Sequence, residues 1–297
     1  MTRSVLYRYV DAELLDRLEH RPLQPRDLVL GNLSGGHKSP LAGFAVEFAG
    51  HREYVPGDEP KHLDWRVYFK REKLFIKQYE LETNFVCHLV LDVSASMTYG
   101  EGDQQKLQAA IRLLTSLAYR MVLQRDKVAL YLAGDRLLPM LSASNTLPHL
   151  VQLAQHLESL QVQPMARLGA DLAELADVCG RRAIVMVFSD GLGDHVALER
   201  GIQRLRFQRN EVVLFQVVHG DECTFPFVGD FEFEGLEGDL TLLGNGEDMR
   251  QAYLEAWAEH QRGLTDLCHR NGAELVTIRT DQSLARQVTL YLDQRHR

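Results

Sequence analysis

The chain has 297 residues, 45% of them hydrophobic and 25% charged, proportions of an ordinary globular protein that exclude disorder, collagen-like repeats and coiled coil. Its 33 Lys and Arg against 41 Asp and Glu leave a formal charge of −8, which disfavours sequence-independent nucleic-acid binding, a process that relies on basic patches to displace counterions. No apolar run approaches the roughly 20 residues that span a bilayer, no signal-peptide core follows Met1, and Cys87, Cys179, Cys223 and Cys268 form no CxxC pair, so a cytoplasmic protein with reduced thiols is expected.

Residues 1–83 form one compositional regime. Helical spacing at Ala12, Leu14, Leu15 and Leu18 is stopped by Pro22 and Pro25. The glycine-rich stretch from Gly31 to Ser39 is close to a phosphate loop in composition. That pattern needs lysine where His37 stands, however, and Pro40 opposes the helix that should follow. Strand-like segments rich in Phe, Tyr and Trp come next. There Lys61, His62, Arg66, Lys70, Arg71, Lys73 and Lys77 interleave with Trp65, Tyr68, Phe69 and Phe75. Such alternation reads as a strand with a solvated face before it reads as a stacking platform for single-stranded nucleic acid.

From residue 84 onward strands alternate with helices. Buried-type runs predict strands over 85–91, 128–132, 183–188, 211–218 and 274–278, with an edge strand over 136–141. Helical spacing predicts helices over 105–123, 147–157, 170–178, 196–205 and 248–270, and a last one from Ser283. This order gives an α/β fold, a doubly wound and mostly parallel sheet covered on both faces, with an N-terminal β-containing extension. Alternating aromatic and acidic residues around Gly235 and Gly238 predict a hairpin insert at about 228–244 in the domain 84–297.

The strongest chemical signal follows the first buried strand: Asp92-Val93-Ser94-Ala95-Ser96. The alternating carboxylate and hydroxyls can converge on one point as a hard, all-oxygen set suited to Mg²⁺. Such a turn often does no more than cap the next helix. A second carboxylate, Asp190 in Ser189-Asp190-Gly191, occupies the matching place after a later strand. Loops after neighbouring strands meet at the carboxyl edge of a doubly wound sheet, where ligands bind. No H-E-x-x-H, G-x-S-x-G or comparable catalytic arrangement occurs, and His88, inside the first buried run, reads as an interior histidine.

On these residues the segment 84–294 resembles a von Willebrand factor type A domain. Its metal-ion-dependent adhesion site uses D-x-S-x-S, a Thr from a second loop and an Asp from a third. The resemblance implies metal ligation by Asp92, Ser94, Ser96 and Asp190. In the second loop, Leu168-Gly169-Ala170-Asp171-Leu172, Ala170 stands where the Thr belongs. Weak or absent binding of Mg²⁺, or of Mn²⁺ or Ca²⁺ in its place, is therefore expected. Asp171 is an accessory candidate, although a helix cap is its commoner role.

Nearly the whole chain also resembles the bacterial domain-of-unknown-function 58 family. That resemblance rests on Glu47-Phe48, Arg52-Glu53-Tyr54-Val55-Pro56-Gly57-Asp58 and Leu63-Asp64-Trp65-Arg66 ahead of a type A domain. Lys61 and Lys70 stand where Arg is usual, keeping charge but losing the bidentate fork. The signature charges read as an ion-pair network in which Arg52 meets Asp58 or Asp64. The family resemblance implies a non-enzymatic interaction protein, a partner or adaptor of a MoxR-type AAA+ ATPase or its client, whose metal site takes a partner's carboxylate. The alternatives are a Mg²⁺-dependent phosphoryl hydrolase, which would lack a recognisable base or phosphate cradle, and a scaffold with a vestigial metal site.

Overall fold

Continuous apolar runs make strands that need cover on both faces, and they form the middle of one sheet. The computed structural model describes residues 6, 8–19, 46–58, 63–71, 73–81, 85–238 and 240–295. The glycine-rich stretch 31–39 lies outside them. Contacts divide the chain into two units, residues 28–84 and residues 1–27 with 85–297.

The smaller unit pairs β1 (Val46–Glu53) with β2 (Phe75–Leu81) antiparallel, with an irregularity between Phe48 and Gly50. Between them lies α1 (Trp65–Arg71). The basic and aromatic run is therefore in part a helix, where a solvated strand was expected. Asp64 decides this: its Oδ1 accepts the Arg66 and Val67 amides at 3.0 and 3.4 Å, the cap of a helix N-terminus. Its other carboxylate oxygen meets His51 Nε2 at 2.8 Å. Arg52 pairs with Asp58 at 2.8 Å, and Asp58 also accepts the Val55 amide at 2.9 Å. Tyr54 follows β1, with its amide donating to the Leu74 carbonyl at 2.9 Å, and Gly57 holds a φ of +113° in the turn that brings Asp58 round. Glu47 lies on β1 opposite Glu80, and Trp65 opens α1 with its ring half in solvent.

In the larger unit, α2 (Ala12–Leu18) comes from the chain start. Next come β3 (Val86–Asp92), α3 (Lys106–Leu123), β4 (Lys127–Ala133), β5 (Leu138–Ser144), α4 (Leu147–Glu158) and α5 (Leu168–Val178). These are followed by β6 (Ile184–Ser189), α6 (His195–Phe207), β7 (Glu211–Val218), α7 (Gly220–Thr224), β8 (Asp230–Glu234), β9 (Thr241–Asn245), α8 (Gly246–Arg270), β10 (Glu274–Arg279) and α9 (Leu284–Arg295). The expected N-terminal region over 1–83 is thus revised at its start. The amphipathic α2 buries Leu14 and Leu18 against α3 and α9 of this unit, and the Asp11 amide donates to Ser116 Oγ at 2.9 Å.

The sheet order is β10-β7-β6-β3-β4-β5, parallel except for β5, which runs antiparallel to β4 at the edge. Counted along this unit the order is 3-2-1-4-5-6, so the winding reverses between β3 and β6. One face packs Val90, Val185, Val187, Val212 and Leu214 against α5, α6 and α8. On the other, Phe188 stacks on Phe215, which meets Tyr291 of α9 edge-on. The predicted insert is the antiparallel pair β8–β9, anchored where Phe225 packs on Phe227, Phe233 and Tyr253.

Candidate functional site

The register of the sheet assembles the site. Leu91 pairs with Phe188 across β3 and β6, so Asp92 and Ser189 end their strands side by side and Asp190 begins the loop beyond. Asp92 is buried, with Oδ1 accepting the Ser94 amide at 2.9 Å and Oδ2 accepting the Ser189 hydroxyl at 2.6 Å. Burial first, and the Asp190 charge second, push its carboxyl up to about 6, against the pull of the Ser189 hydrogen bond. Two buried carboxylates at one point call for a cation.

The strand after Asp92 gives way to a tight turn over Ala95–Thr98. Within this loop the Ser94 and Ser96 hydroxyls lie 3.0 Å apart. Across the site, Ser189 Oγ accepts the Gly191 amide at 3.0 Å while Asp190 Oδ1 accepts the Leu192 amide at 3.0 Å. Gly191 needs its missing side chain: φ is +73°, and a Cβ there would lie 2.9 Å from Leu264 Cδ2. Gln216, buried on β7, donates to the Asp190 carbonyl at 3.2 Å and accepts from Thr277 at 3.2 Å, fixing the loop from behind.

Asp171 reaches the same region from α5. It does not cap that helix, which begins at Leu168 without a side-chain cap. Instead its Oδ2 accepts the Gly134 amide after β4 at 3.2 Å, while its Oδ1, on a side chain 0% exposed, has no partner among the described residues. Burial pushes its carboxyl up to about 6; the Gly134 hydrogen bond and Arg167 oppose this, and Glu174 and Asp92 add to it. Ala170 adds no oxygen.

Two residues that no spacing rule singles out complete the electrostatics. Lys106, 1% exposed at the first turn of α3, donates to Asp190 Oδ2 at 2.9 Å and to Glu222 Oε1 at 2.7 Å. Burial alone would lower its pKa, but Asp190 and Glu222 outweigh that and raise it. Glu222 also accepts the His219 amide at 2.7 Å, closing a capping box on α7. The only sequence signal for this bridge is an unexplained lysine where an apolar helix face begins. His88, by contrast, is buried away from this chemistry beside Tyr131, 3.3 Å from its hydroxyl, and burial lowers its pKa to about 4.

The structure therefore brings Asp92, Ser94, Ser96 and Asp190 together at the strand-order reversal, with Asp171 near Asp92. Glu47, Arg52, Tyr54, Gly57, Asp58, Asp64 and Trp65 belong to the smaller unit. No three His, Cys, Asp or Glu side chains among the described residues group so as to hold a metal by themselves, so any ion there needs the serine hydroxyls. The donor set fits a hard divalent cation. Each oxygen of Asp190 accepts one hydrogen bond and keeps a second lone pair, Asp92 adds a buried carboxylate held by serines, and the unpartnered Asp171 Oδ1 is a further buried oxygen.

The chain matches the family described as "Protein of unknown function DUF58" over residues 50–263. It is 24% identical over 296 residues to the uncharacterized protein Rv1480 of Mycobacterium tuberculosis, covering 97% of this chain and 91% of that one. Among solved structures it is similar to an aerotolerance-related membrane protein from Bacteroides fragilis, with 19% identity and a TM-score of 0.44 over 71% of this chain and 97% of that one. BatB from Bacteroides thetaiotaomicron gives 15% identity and a TM-score of 0.43 over 71% and 98%. The SpRpn10 VWA domain gives 14% and 0.41 over 69% and 94%. No helix among the described residues is long and apolar enough to cross a membrane.

Proposed function

Since this chain belongs to the DUF58 family, we propose that it is a protein-interaction module that captures an acidic side chain of a partner at the carboxyl edge of its sheet. The observation that supports this reading is the meeting of Asp92, Ser94, Ser96 and Asp190 beside Ser189, where the winding of the sheet reverses. These four residues would hold Mg²⁺, or Mn²⁺ or Ca²⁺, with Asp171 as the accessory oxygen in place of the hydroxyl that Ala170 lacks. Once bound, such an ion supplies an open coordination position for a carboxylate. Ser189 and the Ser94 amide orient Asp92, while Leu192 and Lys106 orient Asp190. The partner proposed is a MoxR-type AAA+ ATPase or its client, met in the cytoplasm, where the four free cysteines stay reduced.

The reading is non-enzymatic. Among the described residues neither Ser94 nor Ser96 is hydrogen-bonded to a histidine, and the nearest donor to Asp92 is another serine. Lys106 favours a second reading, a scaffold whose site needs no metal, because its ammonium already compensates Asp190. Calorimetric titration with Mg²⁺ and Mn²⁺ separates the two. The interaction reading expects binding heat that disappears in Asp92→Ala, together with capture of a partner from native lysate that EDTA abolishes. A wild-type protein that takes up neither ion favours the scaffold.

A further inference from the structure

The insert between α7 and α8 carries a carboxylate of this chain to the proposed site. At the tip of the β8–β9 hairpin, in the turn Gly235-Leu236-Glu237-Gly238, Glu237 Oε1 accepts the amide of Ser96 at 3.3 Å across 141 positions of sequence. The Ser96 hydroxyl also lies 3.0 Å from that of Ser94, the residue whose amide holds Asp92. Two further observations make this contact more than a surface coincidence. The base of the hairpin is fixed by the aromatic packing of Phe225, Phe227, Phe233 and Tyr253, so the tip is carried to the site by an anchored arm. The tip itself has little else to hold it: Leu236 and Leu240 are 48% and 74% exposed, and Glu237 has no basic partner among the described residues.

We infer that Glu237 is a built-in, displaceable occupant of the carboxylate-binding position, so that the partner is an acidic side chain presented on an exposed turn of the same kind and must compete with the hairpin. The inference rests on the interaction reading proposed above. A single part-buried hydrogen bond of 3.3 Å contributes only about 1 kcal/mol net, which is what a displaceable occupant requires. With the hairpin docked in about nine of ten molecules, a competing carboxylate binds about tenfold more weakly than to an open site.

The test uses the full chain and a fluorescently labelled peptide of residues 230–245 as the probe, with anisotropy measured in Mg²⁺. The expected result is that Glu237→Gln protein binds the peptide about tenfold more tightly than the wild type, and that a peptide carrying the same substitution binds neither. Equal affinity for the two proteins, including no binding to either, overturns the inference. An EDTA arm tests the metal separately. Loss of the tighter binding in EDTA upholds the metal-dependent reading; tighter binding that persists in EDTA keeps Glu237 as the internal competitor and removes the metal from the site.

Discussion

Lys106 lies buried between Asp190 and Glu222, at 2.9 and 2.7 Å, and a buried charge pair is most costly when only one partner is removed. Lys106→Met is expected to lower unfolding stability by about 3–5 kcal/mol in urea titrations at neutral pH, with Mg²⁺ restoring part of the loss if a divalent ion can take over compensation of Asp190. Asp126 gives a pH effect of known sign. Its buried carboxyl, opposed only by the Phe85 amide at 3.3 Å, is pushed up to about 7 by burial. The native state therefore keeps a proton that the unfolded chain loses near its ordinary value. Stability contributed here falls as pH rises from about 4 to about 7 and is flat above. Asp126→Asn is expected to flatten that slope and to stabilise the protein by roughly 2–4 kcal/mol at pH 8, read from denaturation midpoints across pH. At this scale Asp92, Ser94, Ser96 and Asp190 were legible because each closely follows an apolar run that had to be a strand. Lys106, Glu222 and Glu237 were not, because their contacts exist only once distant segments meet.

Among the elements, the crossing of α5 and α6 controls how well the site is built. A Cβ on Gly169 would fall 2.2 Å from the Ala197 carbonyl carbon, and one on Gly201 would fall 2.5 Å from the Gly169 carbonyl oxygen. At Gly169 and Gly201 the two helices approach too closely to admit a side chain. Gly169→Ala is expected to separate them at a cost of about 1–3 kcal/mol. The same turn of α5 carries Asp171, so its hold on the Gly134 amide should slacken too. Faster hydrogen exchange at Gly134, compared with an equally destabilised variant elsewhere, would verify that link; unchanged exchange would uncouple the crossing from the site. Elements of strong periodicity were readable to within a residue or two, as in α3 and β7. The helix α1 was not: its aromatic and basic alternation imitates a strand, and only the double acceptance by Asp64 Oδ1 turns the chain into a helix.

Over the whole molecule the order 3-2-1-4-5-6 turns local sequence into a site, because it sets the ends of β3 and β6 side by side although α3 to α5 separate them in the chain. The reversal follows from strands and crossovers that could be read in advance. The place of the first helix could not. Its four-residue apolar spacing marks an amphipathic surface but not which surface it covers, and it docks on α3 and α9 with Leu14 and Leu18 fully buried. Burying a leucine and then truncating it to alanine costs about 2–5 kcal/mol at each position, and distant sites add while neighbours couple. Leu14→Ala with Leu18→Ala is therefore expected to remove at least about 4 kcal/mol from a fold whose total margin is of order 5–15 kcal/mol. Thermal unfolding of the full chain measures this directly. A drop of only a degree or two would mean that α2 is an ornament on the larger unit. A large drop shared by near-ultraviolet dichroism of the sheet core would show that the chain's first turns belong to the same cooperative unit as Asp92 and Asp190, so that a protein begun at residue 85 would present the site on a weakened sheet.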